Sequence, residues 1–226
     1  MGICLLPLAF AASRTFAVQL EMSADWETLQ VNTRWFLGGF TAWLLIFCIF
    51  PRPIRTYVLG HELTHALWGL FMGARVSKLR ISSKGGSVNL TKTNVWITLA
   101  PYFFPFYMVL ALIAFVLTSF LIEMQHYMPL WFAIFGMTWS FHITFTIIML
   151  TMRQPDIHEH GRLFSCVLIY CINVATATFL INFLTTQSLT GLASFFWQET
   201  QGTYEYCFNN VIPWIQNLVS KVAWLK

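Results

Sequence analysis

"MPLWFAIFGMTWSFHITFTIIML", residues 128–150, runs for 23 residues without an Asp, Glu, Lys or Arg. At a rise of about 1.5 Å per residue, a helix of that length crosses the roughly 30 Å hydrocarbon core of a bilayer. Its reading decides the fold, because other stretches repeat the pattern. Residues 35–50 (reaching back towards Asn32), 56–73, 95–122 and 163–184 are also long apolar runs, and residues 1–20 form a sixth, weaker one interrupted by Ser13 and Arg14. The absence of a basic segment ahead of that first run argues for a helix over a cleaved signal peptide. Hydrophobic residues make up 57% of the 226 and charged residues 10%, where soluble domains carry about 25% charge. These features predict an all-α polytopic membrane protein, a bundle of about 5–6 transmembrane helices integral to the lipid bilayer. One membrane-embedded domain is expected over residues 1–226, with its core at about 56–184.

The formal charge of +4 is the small surplus that cytoplasmic loops give membrane proteins. It is no nucleic-acid footprint, and no nucleic-acid partner is expected. The five cysteines (Cys4, Cys48, Cys166, Cys171, Cys207) form no C-x-x-C pair, which argues against a thiolate metal site or a disulfide framework. They read as small hydrophobes.

Against this background "GHELTHALWG", residues 60–69, is costly. Helical positions i and i+4 share a face, so His61 and His65 point the same way with Glu62 beside them. H-E-x-x-H at this spacing is a zinc signature in which the glutamate is not a ligand but the base that takes a proton from water. Average residue usage gives it about a 1% chance of arising in a chain this long. The competing reading is a polar cluster satisfied by hydrogen bonds between helices. Asp, Lys or Arg at the bilayer centre costs at least about 2.5 kcal/mol, and ionisable residues there are by default functional, which favours a functional cluster.

Catalytic zinc takes three protein ligands, so a third must come from elsewhere. "MRQPDIHEHGRLFS", residues 152–165, is a polar break between two apolar runs. Pro155 interrupts helix geometry there, and Asp156, His158 and His160 are the available donors. His142 lies deep within 128–150 and shares a helical face with Thr138 and Thr146, so it reads as a cavity-lining or ligand-orienting residue.

Residues 76–93 alternate, with Leu79 and Ile81 on one arm and Val88 and Leu90 on the other around "SSKGG". Gly85 and Gly86 admit positive φ, which predicts a β-hairpin. Arg75, Lys78, Arg80, Lys84 and Lys92 keep it at the membrane surface and place it on the cytoplasmic side, although Arg52 and Arg55 pull the other way. The hairpin is either a plain connection or an edge that binds an extended polypeptide by strand addition. On the second view Gly85, Gly86, Val88 and Leu90 would contact substrate. Pro101 and Pro105 in "TLAPYFFPF" predict a kinked helix whose freed carbonyls face other protein. Val211, Ile215, Leu218, Val222 and Leu225, with Trp214, Lys221, Trp224 and Lys226 around them, predict an amphipathic interfacial helix over about 205–226.

His61, Glu62 and His65 in an apolar helix, a basic hairpin with Gly85 and Gly86, "LAP" at Leu99–Pro101 and a distal aspartate before Gly161 together resemble the site-2 protease family of intramembrane zinc metalloproteases. The resemblance covers about residues 56–175 and rests mainly on the first motif. It implies that His61, His65 and Asp156 hold Zn2+ and that Glu62 is the general base. A divergent branch is implied, because the family's N-P-x-P-x-x-L-D-G context is replaced here by "QPDIHEHG". The expected activity is hydrolysis of peptide bonds in transmembrane or membrane-associated polypeptides. The alternatives are a non-catalytic zinc-binding membrane protein, or a transporter or assembly factor whose polar residues line a path. Glu62 discriminates, since a structural zinc site needs no base.

Overall fold

The structure, a computed structural model, describes residues 2–23, 31–82, 85–185 and 189–223. Lys84, Trp224, Leu225 and Lys226 lie outside the described residues. Helices dominate: α1 (Leu6–Met22), α2 (Val31–Ile49), α3 (Ile54–Phe71), α4 (Val95–Phe103), α5 (Phe106–Ser119), α6 (Met128–Thr151), α7 (Pro155–Glu159), α8 (Arg162–Leu184), α9 (Leu189–Tyr206) and α10 (Ile212–Ala223). Strands β1 (Val76–Ser82) and β2 (Gly85–Leu90) pair antiparallel, Val76 opposite Leu90 and Ser82 opposite Gly85. The register slips between Ser77 and Arg80, where Lys78 takes a φ of 50°. Such a bulge locally bends and twists a strand.

The chain divides into two compact units, residues 29–169 and residues 1–28 with 170–226. In the smaller unit, the two polar residues that interrupt the first apolar run are both engaged. Ser13 Oγ lies 2.7 Å from the Tyr170 hydroxyl, and Arg14 pairs with Glu199 at 3.4 Å. A π-helical turn at Cys207–Val211 joins α9 to α10, on which Trp214, Ile215 and Val219 are exposed.

In the larger unit α2 and α6 meet backbone to backbone. A Cβ on Gly39 would overlap the Ala133 carbonyl, and one on Gly136 would overlap the Phe36 carbonyl. Only glycine lets the helices approach this closely. Trp43 Nε1 then donates to Thr144 Oγ1 at 3.0 Å across the same interface.

By length and composition, Gly2–Met22, Gln125–Thr151 and Arg162–Leu184 are apolar enough to cross a membrane. The stretch 95–122 is not one kinked helix but two helices bent by 74°, α4 and α5, a fourth span if counted together. Pro101 stays inside α4, and the break falls at Phe104 and Pro105. Among the described residues this gives three or four such spans, where five or six were expected. Asn32, Thr33 and Arg34 dilute α2, and His61, Glu62, Thr64 and His65 dilute α3.

Candidate metal centre

His61 and His65 stand one turn apart on α3, and their Nε2 atoms lie 3.2 Å from each other. Asp156 arrives from α7. Gln154 is extended at its N-terminal boundary and Pro155 opens the turn, a position where proline's fixed φ suits a helix start. Asp156 Oδ2 then sits 3.4 Å from His61 Nε2 and 3.5 Å from His65 Nε2. Of the three donors considered for the third position, Asp156 is the one brought to the histidines.

Three further groups orient these side chains. His65 Nδ1 donates to the Ile97 carbonyl at 2.8 Å, which leaves the Nε2 lone pair facing Asp156. The Tyr57 hydroxyl lies 3.0 Å from His61 Nδ1 and holds the orientation of that ring. Tyr102, fully buried, donates to Asp156 Oδ2 at 2.9 Å, and its own carbonyl accepts from Thr146 Oγ1 on α6. Partners of this kind fix tautomer and ring orientation in metal sites. Sequence reasoning missed both tyrosines. Tyr57 was within reach of it, lying four residues before His61 on the same helical face; Tyr102 carries no local signal.

The donor set fits zinc. Ligands about 2.1 Å from a zinc ion at tetrahedral angles stand about 3.4 Å apart, and the three separations here are 3.2, 3.4 and 3.5 Å. Two imidazoles and one carboxylate match the ligand types of a catalytic site that keeps a fourth position for water or substrate.

The trio lines a cleft of about 830 Å³ together with Glu62, the strand β2 and the end of α6. Glu62 is 7% exposed and belongs to the cleft but not to the ligand trio. Strand β2 lies directly on it, since a Cβ on Gly86 would stand 2.6 Å from Glu62 Cγ and 2.8 Å from Oε1. Gly85, Val88 and Leu90 line the same cleft.

Among the described residues no other histidine joins the trio. His142, buried on α6, lines a small crevice with Tyr57, Gly60 and His61 and packs near the Trp139 ring. His158 is exposed in a separate depression with Arg153 and Arg162, and His160 Nε2 lies 4.0 Å from the Glu159 carboxylate. Comparison with family models, with curated proteins and with solved structures returns no match for this chain.

Proposed function

We propose that the chain is a multi-pass membrane zinc metalloprotease, a divergent relative of the site-2 proteases, that hydrolyses peptide bonds of membrane-associated polypeptides. The observation that carries the reading is the near-equal spacing of His61 Nε2, His65 Nε2 and Asp156 Oδ2 with Glu62 left over in the same cleft. A zinc ion bound by that trio would supply Lewis acidity at the scissile carbonyl and a more acidic water. Glu62 takes the proton from the attacking water and returns it to the leaving amine. His65 is held in the ligating tautomer by the Ile97 carbonyl, and His61 is oriented by Tyr57.

Strand β2 supports a polypeptide substrate. In a two-stranded sheet its second edge is free of β1, and an extended segment added there runs past Glu62 through the cleft. A transmembrane helix has its carbonyls paired internally, so it must unwind before one can be cleaved. Strand addition replaces the hydrogen bonds lost in unwinding. The amphipathic α10, with Trp214 and Ile215 exposed, suits an anchor in the membrane interface.

The test is elemental analysis and cleavage on the same preparations, with tagged single-span polypeptides co-reconstituted as substrates. Wild type is expected to hold one zinc per chain and to cleave, Glu62→Gln to hold zinc without cleaving, Asp156→Ala to lose zinc, and His142→Ala to keep it. Wild-type cleavage by Glu62→Gln would overturn the proposal.

A further inference from the structure

A second feature lies away from the metal centre, where α6 ends and α8 begins. Arg153, His158 and Arg162, with Thr151 and Met152, line a surface depression of about 350 Å³. Among the described residues lining it none is acidic, and neither arginine makes an ion pair with any described residue. Two guanidinium groups facing one hollow without a counter-charge repel one another, and the His158 imidazole beside them offers a further hydrogen-bond donor. An oxyanion placed between them removes that repulsion and accepts several charge-assisted hydrogen bonds, in the fork geometry that makes arginine a phosphate ligand. Arg162 is the first residue of the 23-residue α8, whose N-terminal end adds a positive partial charge.

Position identifies the source of the phosphate. The candidate spans Gln125–Thr151 and Arg162–Leu184 end and begin at this hollow, and both Thr151 and Arg162 line it. If these helices cross a bilayer, their adjoining ends lie at the headgroup level of one leaflet. Basic pockets between transmembrane helices at that level take lipid headgroups.

We infer that Arg153, His158 and Arg162 form a binding site for the phosphate of an anionic membrane phospholipid. The bound phosphate bridges the end of α6, the single-turn α7 and the start of α8. It therefore grips α7 through His158, two residues from Asp156. The inference rests on the membrane reading above but not on catalysis.

The experiment begins with alkaline carbonate washing of membranes containing the full chain, which separates integral from peripheral protein. Wild type, Arg153→Gln/Arg162→Gln and, as a charge control, Arg52→Gln/Arg55→Gln are then placed in nanodiscs of phosphatidylcholine with or without phosphatidylglycerol. Lipid retained on release is counted by native mass spectrometry. Wild type is expected to retain phosphatidylglycerol in preference to phosphatidylcholine. The Arg153/Arg162 variant should retain about thirty-fold less, from two arginines at a membrane surface, and the control should match wild type.

Release by carbonate would overturn the membrane reading and this site together. An integral protein without headgroup preference overturns the site alone, and that readout needs no variant. Equal loss in the control pair reduces the effect to general surface charge and also overturns it. Inorganic phosphate bound by wild type in phosphatidylcholine discs, without phosphatidylglycerol retention, overturns the lipid as source.

Discussion

His65 occupies the hydrogen-bonding place that Pro101 leaves open. In α4 the carbonyl of Ile97 would accept from the N–H of residue 101, but Pro101 has none, and His65 Nδ1 donates to that carbonyl instead at 2.8 Å. A residue that is unfavourable for the helix thereby sets the tautomer of a ring in the candidate metal centre. Asn94 offsets part of the cost by capping the helix, its Oδ1 accepting from Ile97 N at 2.9 Å.

Pro101→Ala restores the competing N–H. Zinc affinity should fall by about ten- to a hundred-fold, the usual effect of losing a partner that orients a ligand, while α4 itself gains helix propensity. Chelator competition and thermal melting of the metal-free protein, read side by side, should move in opposite senses. An unchanged zinc affinity would separate Pro101 from the ligand set.

Tyr102→Phe removes one hydroxyl and almost no volume. Asp156 Oδ2 then loses the donor at 2.9 Å, and the carboxylate is free to rotate away from the two histidines. The expected result is roughly ten-fold weaker zinc binding with the fold intact. If zinc binding matches wild type, the Tyr102 hydroxyl does not orient the ligand.

Gly86→Ala tests the contact between strand β2 and Glu62, the proposed base. The new methyl would press on Glu62 Cγ at 2.6 Å and Val58 Cγ1 at 2.7 Å, so either Glu62 turns or β2 lifts. Cleavage should fall by at least about ten-fold, because a displaced base forfeits part of the 10²–10⁴-fold that general catalysis supplies, and zinc content should stay at the wild-type level. Gly85→Ala provides the contrast: a Cβ there meets nothing within 4 Å, but the φ of 139° is strained for any side chain. It should loosen the hairpin and leave Glu62 in place.

The helical spacing of His61 and His65 was legible because i and i+4 need only local geometry, and the hairpin was legible because alternation and two glycines need only a turn. The third ligand was narrower to read. Pro155 marked the break, but which of Asp156, His158 and His160 turns inward depends on the single turn of α7, and Asp156 is two residues ahead of the one that faces the arginines. The two prolines of α4 and α5 read as equivalent kinks, yet Pro101 remains helical and Pro105 does not, because the chain turns only where Phe104 is extended. Which helix faces meet, as those of α2 and α6 do, was the least legible part, because a helix that is apolar over most of its surface, such as α6, carries little directional pattern.

Gly136→Ala is the stability test of the α2 and α6 contact. No rotamer can relieve the clash, because the atoms in the way are the Phe36 carbonyl and the Phe40 backbone nitrogen, the latter at 3.0 Å from the added Cβ. The helices must separate, which weakens the Trp43 to Thr144 hydrogen bond and the packing around it. Overpacking of this kind costs about 1–3 kcal/mol, sometimes more, and is expected as a lower melting temperature in detergent. Gly38→Ala lies one residue from the Gly39 contact and has nothing within 4 Å of the added Cβ, so it should leave stability unchanged or slightly raised through helix propensity. Equal melting temperatures for Gly136→Ala and wild type would mean that α2 and α6 are not in backbone contact.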